Sequence, residues 1–334
     1  MHRKLALIIF SALSISLLQA GDTVDSAISI QRISGSLAKR VERAANDQPK
    51  QASEKFVVPT QEQQKAWKQI VEHILGRRTK SASKLLKRNS FPHKLIRFTD
   101  DSNGREYMLL QEDPVVSGWG LFIFDLNTKN PLVIEVPHPV SDSGTELQGI
   151  EAFLETGARA FVLSGTHRRA NGKLSPCTQA TEQSNYGESD PAHNVNSMFH
   201  VTHETLVETK PDTIVVQLHG MRERDVCPNV FLSTGTKNLT SNASKFLDCL
   251  TARDVETGIY DGETSTCPLI ASTNVQGRFS NGIRKDACRT YAEGSPEPGF
   301  FIHVEQEPNI RSGRDAWQPV IEALKCAFPP TGAK

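Results

Sequence analysis

Residues 131–146 read PLVIEVPHPVSDSGTE: an apolar run, a turn bearing His138 and Asp142, and then the opening of a helical stretch that continues to Thr156. The run is short and rich in β-branched residues, which marks a strand buried on both faces. ARAFVLSG (158–165) repeats that texture after the helix, and DTIVVQLHG (212–220) and GFFIHVEQE (299–307) repeat it again. Helical stretches at 146–156, 194–208 and 315–327 separate or follow these runs. Upstream, KLIRF, REYMLLQ and GWGLFIFDL read as strands, with DDSNG (100–104) as a hairpin turn. Apolar strands alternating with helices define an α/β class: a mixed, largely parallel sheet with helices on both faces.

The flanking segments differ in texture. The first twenty residues, MHRKLALIIFSALSISLLQA, have a basic start, an apolar run from Leu5 to Leu18, and small residues near Ala20. This is the pattern of a cleaved export signal, and the run is shorter than a membrane span requires. The expected location is therefore secreted or periplasmic, with no membrane span after cleavage near Ala20. Residues 21–90 are rich in Gln, Ser, Lys and Arg and show no strand-like run. They read as a polar, partly disordered tether with one or two helices. One of these is AWKQIVEHILGRR (66–78), where Trp67, Ile70, Val71 and Ile74 recur at helical spacing. The chain thus divides into a signal (1–20), an N-terminal segment (21–90) and one α/β domain (91–330).

The 334 residues carry 38 basic and 38 acidic side chains, a balance that argues against a nucleic-acid partner. No GxGxxG or P-loop supports nucleotide binding, and no GxSxG elbow supports serine catalysis. Six cysteines, at 177, 227, 249, 267, 288 and 326, all follow the signal without a CxxC pair. In an exported chain they read as up to three disulfides, Cys227–Cys249 and Cys267–Cys288 being the most local pairings.

In open α/β sheets, ligands collect at the carboxyl ends of the strands. Here those ends carry His138 with Asp142 and Glu146 close behind, Arg168 and Arg169 after a second strand, His219 after a third, and Glu305 and Glu307 on the last. Two histidines, a nearby carboxylate and a separate glutamate are the parts of a catalytic zinc site, which uses three protein ligands and leaves a position for water. Two further polar segments are candidates for substrate contact. SDPAHNVNSMFHVTH (189–203) offers His193 and Asn194, and TNVQGRFSNG (273–282) offers Asn274 and Arg278 as an anchor for a carboxylate.

The motifs VPHPVSDSGTE, GTHRRAN, VVQLHG and FIHVEQE, in this order, resemble the zinc carboxypeptidase family, and within it the amidohydrolase branch of poly-γ-glutamate hydrolases and aspartoacylase-like proteins. The resemblance spans roughly residues 130–326. It implies zinc held by His138, His219 and an acid. The usual His-x-x-Glu spacing of the family falls on Ser141, so the third ligand is expected at Asp142, with Glu146 as the alternative. It implies Arg168 or Arg169 as the residue that polarises the scissile carbonyl or clamps a carboxylate, and Glu305, ahead of Glu307, as general base. The resulting expectation is an exported zinc hydrolase acting on an amide or peptide bond in a small carboxylate-bearing substrate of γ-glutamyl or cell-wall peptide type. An inactive secreted binding domain on the same fold, and a zinc esterase or deacetylase, are the competing readings.

Overall fold

A computed structural model describes residues 30–177 and 186–330; the expected export signal and its cleavage point lie outside them. In chain order the elements are β1 (Gln31–Gly35), α1 (Leu37–Asn46), α2 (Gln61–Leu75), α3 (Thr79–Arg88), β2 (His93–Asp100), β3 (Glu106–Glu112), β4 (Leu121–Phe124) and β5 (Leu132–Val136). They continue with α4 (Thr145–Thr156), β6 (Ala160–Leu163), α5 (Met198–Thr209), β7 (Ile214–Leu218), β8 (Val230–Ser233), α6 (Ser241–Thr251), β9 (Thr257–Ile259), α7 (Val275–Ser280), β10 (Phe301–Gln306) and α8 (Arg314–Ala327). No described helix is long and apolar enough to cross a membrane.

The strands form one sheet in the order β1-β2-β3-β4-β6-β5-β7-β10-β8-β9. Its centre, β6-β5-β7-β10, is parallel, whereas β2, β3, β4 and β6 pair antiparallel in sequence, as do β10 and β8. This is the mixed sheet, covered on both faces, that the alternation of strands and helices implies. Side chains alternate across it. Ile134, Val136, Val216, Leu218, Ile302 and Val304 pack with α1, α4, α6 and α8, while Val133, Val215 and Phe301 pack with α2, α5 and α7. Three polar residues, Glu135, Gln217 and His303, occupy the second face in register with these apolar neighbours, and all are buried.

The N-terminal segment corrects the tether expected there. Its described part carries a strand and three helices, and β1 extends the sheet by pairing parallel with β2, Gln31 opposite Ile96. The polar composition conceals a narrow stripe. Leu37, Val41 and Ala45 lie four apart on α1 and are buried, while Lys39 and Arg43 between them are exposed. Asp100 accepts the first free backbone N–H of α1, from Leu37, at 2.8 Å. On α2, Trp67, Ile70, Val71 and Ile74 form the buried face as their spacing predicts, and Thr60 with Gln63 closes a capping box. The polar segment 273–282 holds the short helix α7, capped by Asn274.

The cysteines form Cys177–Cys288, Cys227–Cys267 and Cys249–Cys326, so both local pairings are overturned. Cys249 is on the core side of α6, which packs against α8 and meets Cys326 there, while Cys227 lies in the loop before β8 and faces the segment after β9. Separations of 111, 40 and 77 residues close long loops. Removing such a bridge typically costs about 2–5 kcal/mol. Cys249→Ser/Cys326→Ser is therefore expected to lower the midpoint of thermal unfolding markedly; an unchanged midpoint would remove α6–α8 stapling as a source of stability.

Candidate metal centre

Four strand ends of the parallel centre open onto one cavity of about 390 Å³, lined by His138, Arg168, Tyr186, His193, His219, the segment Pro268–Asn274, His303 and Glu305. His138 follows β5 by one residue beyond Pro137. The backbone N–H of Asp142 donates to the carbonyl of His138 at 2.8 Å, closing a single turn that folds the carboxylate back towards the imidazole. Gly144 makes the exit from this turn possible. Its φ is +92°, and a Cβ there would lie 2.3 Å from the carbonyl oxygen of Arg311.

The turn places Asp142 Oδ2 3.4 Å from His138 Nδ1 and 3.7 Å from His219 Nδ1. His138, Asp142 and His219 are buried, and their ligand atoms lie within 4.8 Å of one another. Asp142 Oδ2 is itself buried and has no hydrogen-bond partner. The outer nitrogens, by contrast, are engaged. His138 Nε2 is 2.9 Å from Asp190 Oδ1, and His219 Nε2 is 2.7 Å from Gln217 Oε1. With both Nε2 atoms turned to acceptors, both Nδ1 atoms face the orphaned carboxylate oxygen, that of His138 also lying 3.4 Å from the Arg168 guanidinium. A carboxylate and two imidazoles so arranged suit zinc. A second group, His219, His303 and Glu305, adjoins the first and shares His219 with it.

Electrostatics separates the roles. Burial holds His219 well below the usual imidazole range, and the crowding of other ionisable groups, His303 and His138 first and then Arg168, works in the same direction. Burial likewise pushes His303 down to about 3, so this ring is neutral. For His138, burial and Arg168 oppose the charge, but the Asp190 and Asp142 carboxylates outweigh them and the net shift is upward. Burial also opposes the charge of Asp190, yet Arg168 at 2.9 Å, His193 and His138 together hold it well below the usual carboxylate range. Glu305 moves the other way: burial, then the neighbouring Asp142, pushes it up to about 7. Its Oε1 is 3.4 Å from His303 Nε2.

Of the residues expected from sequence, His138, Asp142, His219, Glu305, Arg168, His193 and Asn274 are brought together at the cavity. The others are placed elsewhere. Glu146 turns back to accept the Gly144 N–H at 3.0 Å in the first turn of α4. Arg169 is exposed and does not line the cavity. Asn194 is consumed within its own loop, donating to the Glu188 carbonyl and accepting from Asn196 N–H. Arg278 does not line the cavity; it donates to the carbonyls of Ser272, Ala287 and Cys288 and braces the loop around the Cys177–Cys288 bridge. Glu307 accepts the Arg224 N–H at 3.1 Å.

Asp190 and Tyr186 were not singled out in the sequence, nor was any ligating role for His303. Asp190 had a readable signal: Asp-Pro is a common opening for a turn, and Asp190 caps the 3-10 turn Pro191–His193. Tyr186 stacks on His193 with ring centroids 3.5 Å apart, an encounter no local pattern announces.

No family model matches the sequence, and no curated protein matches it. Among solved structures, the chain is similar to an N-formylglutamate amidohydrolase from Ralstonia eutropha (11% identity, 62% of this chain and 95% of that one, TM-score 0.37). It is also similar to an aspartoacylase family protein from Mesorhizobium loti (10% identity, 72% and 67%, TM-score 0.32). A third is a metallo-carboxypeptidase from Pseudomonas aeruginosa in complex with (2-guanidinoethylmercapto)succinic acid (14% identity, 66% and 60%, TM-score 0.32).

Proposed function

We propose that this chain is an exported, zinc-dependent hydrolase that cleaves an amide or peptide bond in a small carboxylate-bearing substrate. The observation that carries the reading is the convergence of His138 Nδ1 and His219 Nδ1 on Asp142 Oδ2, a buried carboxylate oxygen without a hydrogen-bond partner, beside a glutamate on the same cavity. A buried unpaired carboxylate oxygen is costly unless a cation satisfies it. His138, Asp142 and His219 are the residues that would hold zinc. When bound, zinc supplies a Lewis acid and a water whose pKa is brought near neutrality.

The chain's own groups supply the rest. Glu305, raised to about 7, is matched to taking a proton from water and returning it to the departing amine nitrogen. The amide C–N bond breaks, the water oxygen joins the acyl carbon, and Glu305 ends as it began. Arg168 is the lining residue with a permanent positive charge. Its Nη2 is tied to Asp190, and its Nη1 lies 3.4 Å from His138 Nδ1, so the guanidinium is fixed where a carbonyl or carboxylate oxygen would approach the ligand set. Pro268–Ala271 add apolar surface to the cavity lining. A basic start and apolar run at the N-terminus, together with three disulfides, support export.

The test is metal analysis of the purified protein together with amine release from a panel of N-acyl amino acids and γ-glutamyl peptides. One equivalent of zinc and zinc-dependent release are expected. Asp142→Ala is expected to lose zinc, while Glu146→Ala retains it. Absence of stoichiometric zinc, or wild-type zinc binding in Asp142→Ala, overturns the assignment.

A further inference from the structure

Beneath the cavity, on the face of the sheet covered by α5 and α7, the apolar strands are interrupted by a continuous hydrogen-bonded cluster. Glu135 on β5, Gln217 on β7, His203 on α5 and Gln276 on α7 have no solvent exposure at all. Glu135 Oε2 accepts from Gln217 Nε2 at 2.9 Å, and Glu135 Oε1 accepts from His203 Nδ1 at 2.9 Å. On its far side, His203 Nε2 accepts from Ser280 Oγ at 3.1 Å. Gln217 Nε2 also faces Gln276 Oε1 at 3.4 Å, and Gln276 Nε2 donates to the Pro191 carbonyl at 2.8 Å. Such a cluster is expensive to bury unless every member is satisfied, and it then has few alternative arrangements.

The orientation of each amide follows from its neighbours. Asn274 Oδ1 is committed to the Gly277 backbone N–H at 2.9 Å, so Asn274 presents its Nδ2 to Gln217, at 2.5 Å. A donor there requires an acceptor, which fixes Oε1 of Gln217 at that end. Glu135 imposes the same orientation more strictly, because its carboxylate can receive the Gln217 amide only as a donor, whereas the Asn274 amide can itself turn over at the loss of its bond to the Gly277 N–H. Gln217 Oε1 thus points at His219 Nε2 and can only accept from it. The proton of the imidazole is thereby placed on Nε2, and the lone pair on Nδ1, the atom 3.7 Å from Asp142 Oδ2.

We propose that Glu135, Gln217 and Asn274 are positioning residues that set the tautomer of His219, so that a carboxylate two hydrogen bonds from that ring decides which nitrogen binds the metal. The inference rests on the metal reading above for its consequence, but not for its cause: the tautomer is set in the metal-free chain. For His138 the equivalent partner, Asp190, touches the ring directly. For His219 it acts through the reversible amide of Gln217, and the carboxylate and Asn274 are what stop that amide from turning over.

The experiment uses the full-length protein with 15N-labelled histidine, stripped of metal, and reads the His219 ring nitrogens by long-range 1H–15N correlation. Zinc affinity is measured separately by chelator competition. The wild type is expected to show the Nε2–H tautomer alone. Glu135→Gln is nearly isosteric but offers either end of an amide to Gln217. It is expected to populate both His219 tautomers and to weaken zinc binding about 10–100-fold, the range for loss of an outer-shell partner. Gln217→Met removes the acceptor outright, is expected to do the same, and carries the test if Glu135→Gln does not fold. Ser280→Ala perturbs the far end of the cluster without touching Gln217, and is expected to leave the tautomer unchanged.

Retention of the pure Nε2–H form with zinc affinity within about twofold of wild type, in whichever of Glu135→Gln and Gln217→Met folds, overturns the proposal. So does a tautomer change in Ser280→Ala equal to that in Glu135→Gln, which would mean general loosening. If the wild type binds no zinc while the tautomers respond as expected, the metal reading fails and the positioning network stands.

Discussion

Glu305→Gln is expected to lower kcat on the amide substrates by about 10²–10⁴-fold, the usual contribution of a positioned general base, while the zinc content stays at wild-type level. The substitution preserves shape and removes only the ability to exchange a proton. The same variant has a second expected signature, of opposite sign, in stability. In the metal-free chain, burial and Asp142 push Glu305 up to about 7 from an ordinary value of 4.5. The folded state therefore holds this proton more tightly than the unfolded state does. That contribution to stability is fully present below about 4.5 and is lost as the pH rises through about 7.

At pH 8 the wild type must keep a desolvated charge next to Asp142, a penalty on the order of 3 kcal/mol for a shift of this size. Glu305→Gln carries no such charge. The metal-free variant should therefore unfold at a higher temperature than the metal-free wild type at pH 8, and the gap should close towards pH 4.5. Turnover near the wild-type rate would take the role of base from Glu305. Glu307 would not inherit it from this conformation, since its carboxylate is engaged by Arg224 N–H away from the cavity. Loss of zinc from Glu305→Gln would instead make Glu305 a ligand.

The parts of the candidate site that were legible in the sequence are those that end a strand. His138, His219, Arg168 and Glu305 all follow or finish apolar runs of the parallel centre, where strand direction alone sends them to one side of the molecule. Asp142 could be preferred over Glu146 only through the family resemblance. What separates them physically is the i→i+4 turn from His138, a backbone feature that residue types do not specify. Glu135 and Gln217 stood in plain view as polar interruptions of LVIEV and IVVQL. They became informative only when the register put them side by side, Glu135 opposite Gln217 in the β5–β7 pair.

The misplaced elements share a cause as well. The buried stripe of α1 is only three residues deep in a charged helix, and Arg278 looked like a substrate anchor because its loop is polar. Both were judged by composition, where what mattered was the direction each side chain takes. The disulfides failed for the complementary reason: proximity in sequence says little when α6 and α8 bring residues 249 and 326 together.

The two overlapping ligand groups give the remaining large effect, because they make opposite demands. His219 belongs to both and cannot distinguish them, whereas His138 belongs only to the first and His303 only to the second. A metal in the first group meets an orphaned carboxylate oxygen and two Nδ1 atoms whose outer nitrogens are already engaged. A metal in the second would have to take Glu305 as a ligand and leave Asp142 Oδ2 unsatisfied.

His138→Ala is therefore expected to weaken zinc binding about 10²–10³-fold, in keeping with roughly 3–4 kcal/mol per protein ligand. The variant should still fold, because Asp190 keeps Arg168, His193 and the Ala192 N–H as partners. His303→Ala is expected to hold zinc within about threefold of wild type, under about 0.7 kcal/mol. The reverse pattern, measured by the same chelator competition, would move the ion to His219, His303 and Glu305. Coordination there would draw the Glu305 pKa far down and end its match to proton transfer near neutrality. That outcome would remove the base along with the site, and the hydrolase reading would fall with both.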